Sequence, residues 1–155
     1  MKTVLGSLRV IEHSAFVAAP LAGMSLAQMG AEVIRIDRPG QRDNQTRLDV
    51  LNRSRRSLAV DLKKPGGKET VLRLVGQADA LVEGFRPGVM ERLGLGYEVL
   101  RHLRQGLVMV SVSASGQTGP ERSYAGYAPL QAAFAAAAAA STPTARSRWA
   151  WPGRW

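Results

Sequence analysis

The chain of 155 residues contains no cysteine, only two histidines, and no stretch approaching the roughly 18 consecutive apolar residues of a membrane span. Without thiols there is neither a disulfide framework nor a thiolate metal site, and two isolated histidines do not make a metal site, so no metal is expected. That composition suits a reducing cytoplasm. The opening residues MKTVLGSLRVIEHS place Arg9 and Glu12 where a secretory signal needs an uninterrupted apolar core. The expectation is a soluble, cytoplasmic protein that makes no use of a membrane. Acidic residues are scarce as well, 12 against 21 Lys and Arg, which leaves a formal net charge of +9.

Clustered cations supply most non-specific affinity for phosphate backbones, so this excess raises the question of a nucleic-acid partner. No aromatic residue falls among Arg35, Arg38, Arg42, Arg47, Arg53, Arg55 and Arg56 to stack bases. The patch fits a phosphorylated small ligand as well as a polymer, and the missing aromatics turn the reading away from nucleic acid. Arg146, Arg148 and Arg154 lie apart, in a tail without acidic residues.

What is present supports one core: 45% of the residues are hydrophobic, enough for a single domain of this length. A β-rich run at 8–14 precedes an Ala, Leu and Met segment at 16–30 that suits a helix ending at Gly30, and 31–37 reads as a second strand. Strand, helix and strand in about thirty residues make a βαβ unit and imply a parallel sheet with a right-handed crossover. The pattern recurs with a strand at 56–62, a helix at 66–77 just after Pro65, and a strand at 78–85. Short helices at 87–93 and 97–105 lead to 106–116, a nearly continuous apolar run expected to be a strand buried on both faces. The fold class is therefore α/β, a Rossmann-like doubly wound and mostly parallel sheet. Residues 39–55 form a polar loop without periodicity, and 132–140 form an alanine-rich run that is helical by propensity.

The last fifteen residues, STPTARSRWAWPGRW, hold all three tryptophans and no periodicity. They mix Arg, Pro, Ala, Gly and Trp as out-of-frame translation of a GC-rich gene does. We therefore expect a folded part at 1–140 and an aberrant or disordered basic tail at 141–155, the alternative being an ordinary variable extension.

An open parallel sheet binds ligands outside the carboxyl ends of its strands. Those ends fall near Ser14 to Val17, Asp37 and Arg38, Asp61 to Lys63, Gly84 to Arg86, and Ser113 to Gly116. Asp37 resembles the acidic ribose-binding residue of dinucleotide folds, but the first turn, EHSAFVAAP, lacks the G-x-G-x-x-G that admits a pyrophosphate. An NAD site is not expected. Arg38 precedes Pro39-Gly40 and Arg86 precedes Pro87-Gly88, so each guanidinium sits at a turn that can aim it at a phosphate. The alternative for each is a solvated surface charge. His13 has no carboxylate at a spacing that completes a nucleophilic triad and reads as a satisfied structural histidine, while His102 reads as exposed. Asp43, Asp49 and Asp61 lie near the proposed mouth, and nothing in their spacing selects a nucleophile or base.

Three stretches resemble the family III CoA-transferases, the group that contains formyl-CoA transferase, the carnitine CoA-transferases and the α-methylacyl-CoA racemases. They are LRVIEHSAFVAAPLAGMSLAQMGAEVIRIDRPG, NRSRRSLAVDLKKPGGKETVLRLVGQADALVEGFRPGVMERLGLGYEVL and LVMVSVSASGQTGPERSYAGYAPLQAAF. They follow in family order over nearly all of residues 6–134, and EGFRPGVMERLGLG is highly specific. The resemblance implies an N-terminal part of an enzyme that binds coenzyme A or acyl-CoA as substrate on a Rossmann-like domain, truncated relative to an interlocked two-domain homodimer. Carried over by position, the CoA contacts are Val17 and Ala18, Arg38, Val60, Asp61, Leu62 and Lys63, Gly84, Phe85 and Arg86, Arg92, and Ser113, Ala114, Ser115 and Gly116.

The same resemblance implies transfer of CoA between an acyl-CoA and a free carboxylic acid. A carboxylate nucleophile attacks the thioester, and the reaction runs through a mixed anhydride and an enzyme-CoA thioester. The family's nucleophilic Asp lies in a segment that this chain does not reach, so no catalytic residue is assigned, and a non-catalytic CoA-binding fragment is the alternative. Racemases place a His and then an Asp after the Gly of AGYAPL, where this chain has Tyr127 and Ala128, which disfavours that activity.

Overall fold

The computed structural model describes residues 3–13, 17–40 and 50–141. Five short strands are β1 (Arg9–His13), β2 (Glu32–Asp37), β3 (Arg56–Ala59), β4 (Ala80–Glu83) and β5 (Val108–Ser111). They form one sheet in the order β3-β2-β1-β4-β5, with every neighbouring pair parallel. The helices are α1 (Ala18–Gln28), α2 (Pro65–Val75), α3 (Val89–Arg92), α4 (Tyr97–Leu103) and α5 (Ala128–Ser141), with a 3-10 turn at Val50–Asn52. This is the expected doubly wound α/β sheet. None of the described helices is long and apolar enough to cross a membrane.

Side chains alternate across each strand, so two apolar layers form. On one face Ile11, Ile36 and Leu81 meet Val71 and Val75 of α2, together with Met90, Leu95 and Leu100 from the α3–α4 region. On the other face Val10, Val33 and Val82 meet Ala19 of α1 and Ala31. Ile11, Val75 and Leu100 are fully buried, and each such side chain contributes about 1.5–3 kcal/mol by leaving water. Pro65 opens α2 at a position whose N–H has no helical partner, so the ring costs nothing there. Val71 and Val75, four residues apart, then turn one face of α2 to the sheet.

Several expected boundaries move inward for local reasons. The third strand stops at Ala59 rather than 62, because after the bond from Val60 N–H to the Asp37 carbonyl (2.8 Å) the chain turns. In that turn Lys63 N–H donates to Asp61 Oδ1 at 3.0 Å. The first helix begins at Ala18 and the fourth strand ends at Glu83. The larger correction concerns β5, which is four residues long and an edge strand. Val108 and Val110 are 59% and 44% exposed, so the run at 106–116 is not buried on both faces. Apolar content announces a strand but not what covers it. The alanine-rich run is helical as expected, within α5.

Candidate coenzyme site at the carboxyl edge

Because all five strands are parallel, the segments that leave them start from a single edge of the sheet. The order places β1 beside β4, with β2 and β3 on one side and β5 on the other, so the chain reverses direction between β1 and β4. Such a switch point, in the crevice outside the carboxyl ends of the strands, is where open α/β sheets take ligands. His13 and Glu83, the last residues of β1 and β4, are register partners there, and both are buried.

The turn after β4 is tightly specified. Gly84 N–H donates to the His13 carbonyl at 3.3 Å, and Phe85 N–H donates to Glu83 Oε2 at 2.7 Å. The Phe85 ring then stands edge-on to the His13 imidazole, centroids 4.5 Å apart and planes at 83°. Arg86 is exposed, and its carbonyl accepts Val89 N–H at 3.1 Å to start α3. Gly88 has φ +81°, and a Cβ there would stand 3.3 Å from Arg92 Nη1, so the glycine gives the Arg92 guanidinium room to lie against the turn. Gly84, Phe85, Arg86 and Arg92 thus belong to one small structure.

The other anticipated positions are distributed along the same edge. Val17 and Ala18 are exposed at the start of α1. Arg38 is exposed just past β2. Val60 is buried, Leu62 packs on the core, Asp61 folds the turn, and Lys63 is exposed. Past β5, Ser113 Oγ is buried without a partner among the described residues, Ala114 and Ser115 continue the chain, and Gly116 has φ +80°. Arg38 and Arg92 stand on opposite sides of the crevice, the β2 side and the β4 side.

Two sequence readings need correction. The proposed basic patch loses several members to ion pairs: Arg35 binds Asp37 (2.9 Å), Arg56 binds Glu32 (2.9 Å), and Arg55 pairs with Glu12. In the last pair both side chains are out of solvent, and Arg55 also reaches Asn52 Oδ1 at 3.4 Å. Asp37, likened to a ribose-binding acid, has its carboxylate held by Arg35 and by Ser57 Oγ at 2.5 Å. The other correction is His13, which is buried but not satisfied: its Nδ1 has no hydrogen-bond partner among the described residues. Burial foremost, then the positive charge of Arg38, holds the imidazole's pKa down to about 4, so it is neutral at pH 7.

His102 is exposed, as expected, and its Nδ1 lies 2.5 Å from the Glu98 carbonyl. Ser14, Arg42, Asp43, Arg47 and Asp49 lie outside the described residues, as does the tail after 141. Among the described residues no group of three His, Asp or Glu side chains is placed to hold a metal. Sequence reasoning missed Glu12 and Glu83 as site-forming residues. The available signal was an acid inside the apolar runs RVIEH and ALVE, where burial demands a partner.

Comparison with known proteins bears on the family and the fold. The family described as CoA-transferase family III matches residues 5–152. A succinyl-CoA–D-citramalate CoA-transferase of Chloroflexus aurantiacus is 41% identical over 138 residues, covering 81% of this chain and 34% of the relative. The human alpha-methylacyl-CoA racemase is 43% identical over 115 residues, covering 74% of this chain and 29% of the relative. The crystal structure of Rv3272 from Mycobacterium tuberculosis superposes with a TM-score of 0.81 at 37% identity, covering 92% of this chain and 41% of that one. The chain thus spans about a third of the length of the curated relatives it matches. With a family match over nearly its whole length and the same fold in a solved relative, this chain belongs to CoA-transferase family III.

Proposed function

We propose that this chain is the CoA-binding, N-terminal part of an acyl-CoA:carboxylate CoA-transferase. The observation that carries the reading is the carboxyl edge of the all-parallel sheet. A glycine-hinged turn at 84–88, a cation on each side of the crevice and small residues at the start of α1 share that edge in a member of this family. In this reading Arg38 and Arg92 hold phosphates by charge-assisted bonds, and Val17, Ala18 and Gly84 let the ligand approach the backbone. Relatives that transfer CoA from succinyl-CoA favour a transferase, and Tyr127 and Ala128 stand where a racemase would need its His and Asp.

The covalent step is assigned to no residue described here. Glu12 is paired with Arg55, Asp37 with Arg35, Glu83 receives Phe85 N–H, and Asp61 receives Lys63 N–H, so each carboxylate at the edge has a structural role. That observation favours the second reading, a fragment that binds CoA without turnover. The interlocked dimer and the cytoplasmic setting belong to the same proposal, as does a division into a CoA-binding part at 1–140 and a separate tail. The test is calorimetry with CoA together with a transfer assay from succinyl-CoA to free dicarboxylic acids, using the purified 155-residue chain. Saturable CoA binding without transfer is expected. No binding would remove the assignment, and transfer that survives replacement of every carboxylate at the edge would overturn the division of labour.

A further inference from the structure

We infer that His13 is a ligand-binding residue, whose ring Nδ1 pairs with a neutral amide of the pantetheine arm of CoA in the crevice between β1 and β4. This rests on the CoA reading above and adds to it a residue that the family resemblance did not assign.

Three observations carry it. First, position: His13 ends β1 opposite Glu83 of β4, at the point where the sheet's chain order reverses. Second, an unmet bond: the side chain is 8% exposed and Nδ1 has no partner among the described residues. A buried polar atom left unpaired costs about 1–3 kcal/mol, so it calls for a reason, and a hydrogen bond to a ligand supplies one. Its described neighbours do not supply that partner, since Glu83 Oε2 is taken by Phe85 N–H and the Phe85 ring offers only its edge-on contact. Third, charge: burial foremost, then the positive charge of Arg38, keeps the imidazole neutral at pH 7, presenting one donor and one acceptor rather than a cation.

A neutral imidazole does not compete with guanidiniums for phosphate, but it matches a secondary amide, which has one N–H and one carbonyl. Coenzyme A carries two such amides between its pyrophosphate and its thiol. Phosphates held at Arg38 therefore leave the amide-bearing arm to run into the crevice. Nδ1 is shielded, so ligand entry has to move a neighbour. The Phe85 ring, edge-on to the imidazole with centroids 4.5 Å apart, is the described neighbour in contact with it.

The test uses the full chain, with pantetheine and 3′,5′-adenosine bisphosphate as separate probes and CoA as reference. His13→Phe keeps an aromatic ring against Phe85 but removes both ring nitrogens. We expect it to weaken pantetheine and CoA about tenfold, the order of one lost hydrogen bond, and to leave the bisphosphate unchanged. Independently, the His13 ring nitrogen resonances of the unsubstituted chain shift on addition of pantetheine and not of the bisphosphate. If CoA binds and His13→Phe binds pantetheine as before, or the resonances do not move, the assignment of His13 falls and the CoA reading stands. Equal weakening of both probes also removes the assignment, since it marks general damage. A chain that binds no CoA removes both.

Discussion

Glu12 and Glu83 are both buried at the carboxyl edge of neighbouring strands, and they differ in what meets the carboxylate. Glu12, on the α1 face, is met by Arg55 from 43 residues away, and Arg55 and Arg35 both reach Asn52. Glu83, on the opposite face, is met by the backbone of Phe85 two residues on. The β1–β3 side is thus tied by long-range side-chain pairs, although Arg55 keeps its Nε unbonded. The β4–β5 side has its long-range pair, Arg104 with Asp79, at the opposite edge; at the carboxyl edge it is shaped by local turns and leaves Ser113 Oγ without a partner among the described residues, and His13 Nδ1 at the seam is left likewise. A fully satisfied polar network specifies one structure, whereas each buried group left unpaired calls for a reason of its own. One side of the edge is held by long-range pairs, and the other carries the polar atoms that the proposed ligand would meet.

The sharpest way to break this contrast is Glu12→Ala, which strands the Arg55 guanidinium in the interior. A loss of about 3–5 kcal/mol is expected, read as a lower urea midpoint, because removing one partner of a buried pair leaves its charge uncompensated. A change below about 1 kcal/mol would make the pair dispensable.

The next effect is pH dependence. An unfolded imidazole takes up a proton near pH 6.5, but folded His13 does so only near 4. Between those values the unfolded chain binds more protons, so the neutral-histidine contribution is fully present above about pH 6.5 and is lost as the pH falls toward 4. The loss approaches about 3 kcal/mol at most. Comparing urea midpoints at pH 7 and 4.5 for the chain and for His13→Phe isolates it: the drop in the variant is smaller. Equal drops would place the acid sensitivity elsewhere.

On the open side, Arg38→Ala is expected to weaken CoA about tenfold, since a hydrogen bond to a charged group contributes about 1.5–3 kcal/mol and this side chain is exposed. Its urea midpoint stays unchanged, and calorimetry showing full affinity would take Arg38 out of the site. The smallest effect belongs to Arg56→Ala. Its pair with Glu32 leaves Arg56 78% exposed, so stability changes by about 0–1 kcal/mol, within the scatter of midpoint measurements.

Much of the fold was legible because β1, β2 and β4 announce themselves as short apolar runs and α2 as a helix opened by Pro65. The coverage of β5 was not, since the same valines read as strand whether or not a helix lies over them. The strand ends were legible, and CoA came to them only through the resemblance, as a proposal. What the sequence could not express was long-range pairing: Arg55 and Arg56 counted as free cations until the fold brought Glu12 and Glu32 to them. The orphaned nitrogen of His13 was hidden for the same reason, since satisfaction is a property of neighbours.

Gly23 carries that dependence into the choice of residue on a helix. Helical propensity favours alanine over glycine by about 1 kcal/mol at an interior position. Yet a methyl group at 23 would land on the Glu12 carboxylate, with Arg55 Nη1 3.4 Å away. Positions 12, 23 and 55 therefore form one unit of sequence choice. A designer who improves the helix at 23 has to shorten the acid at 12, and then to find a neutral occupant for 55.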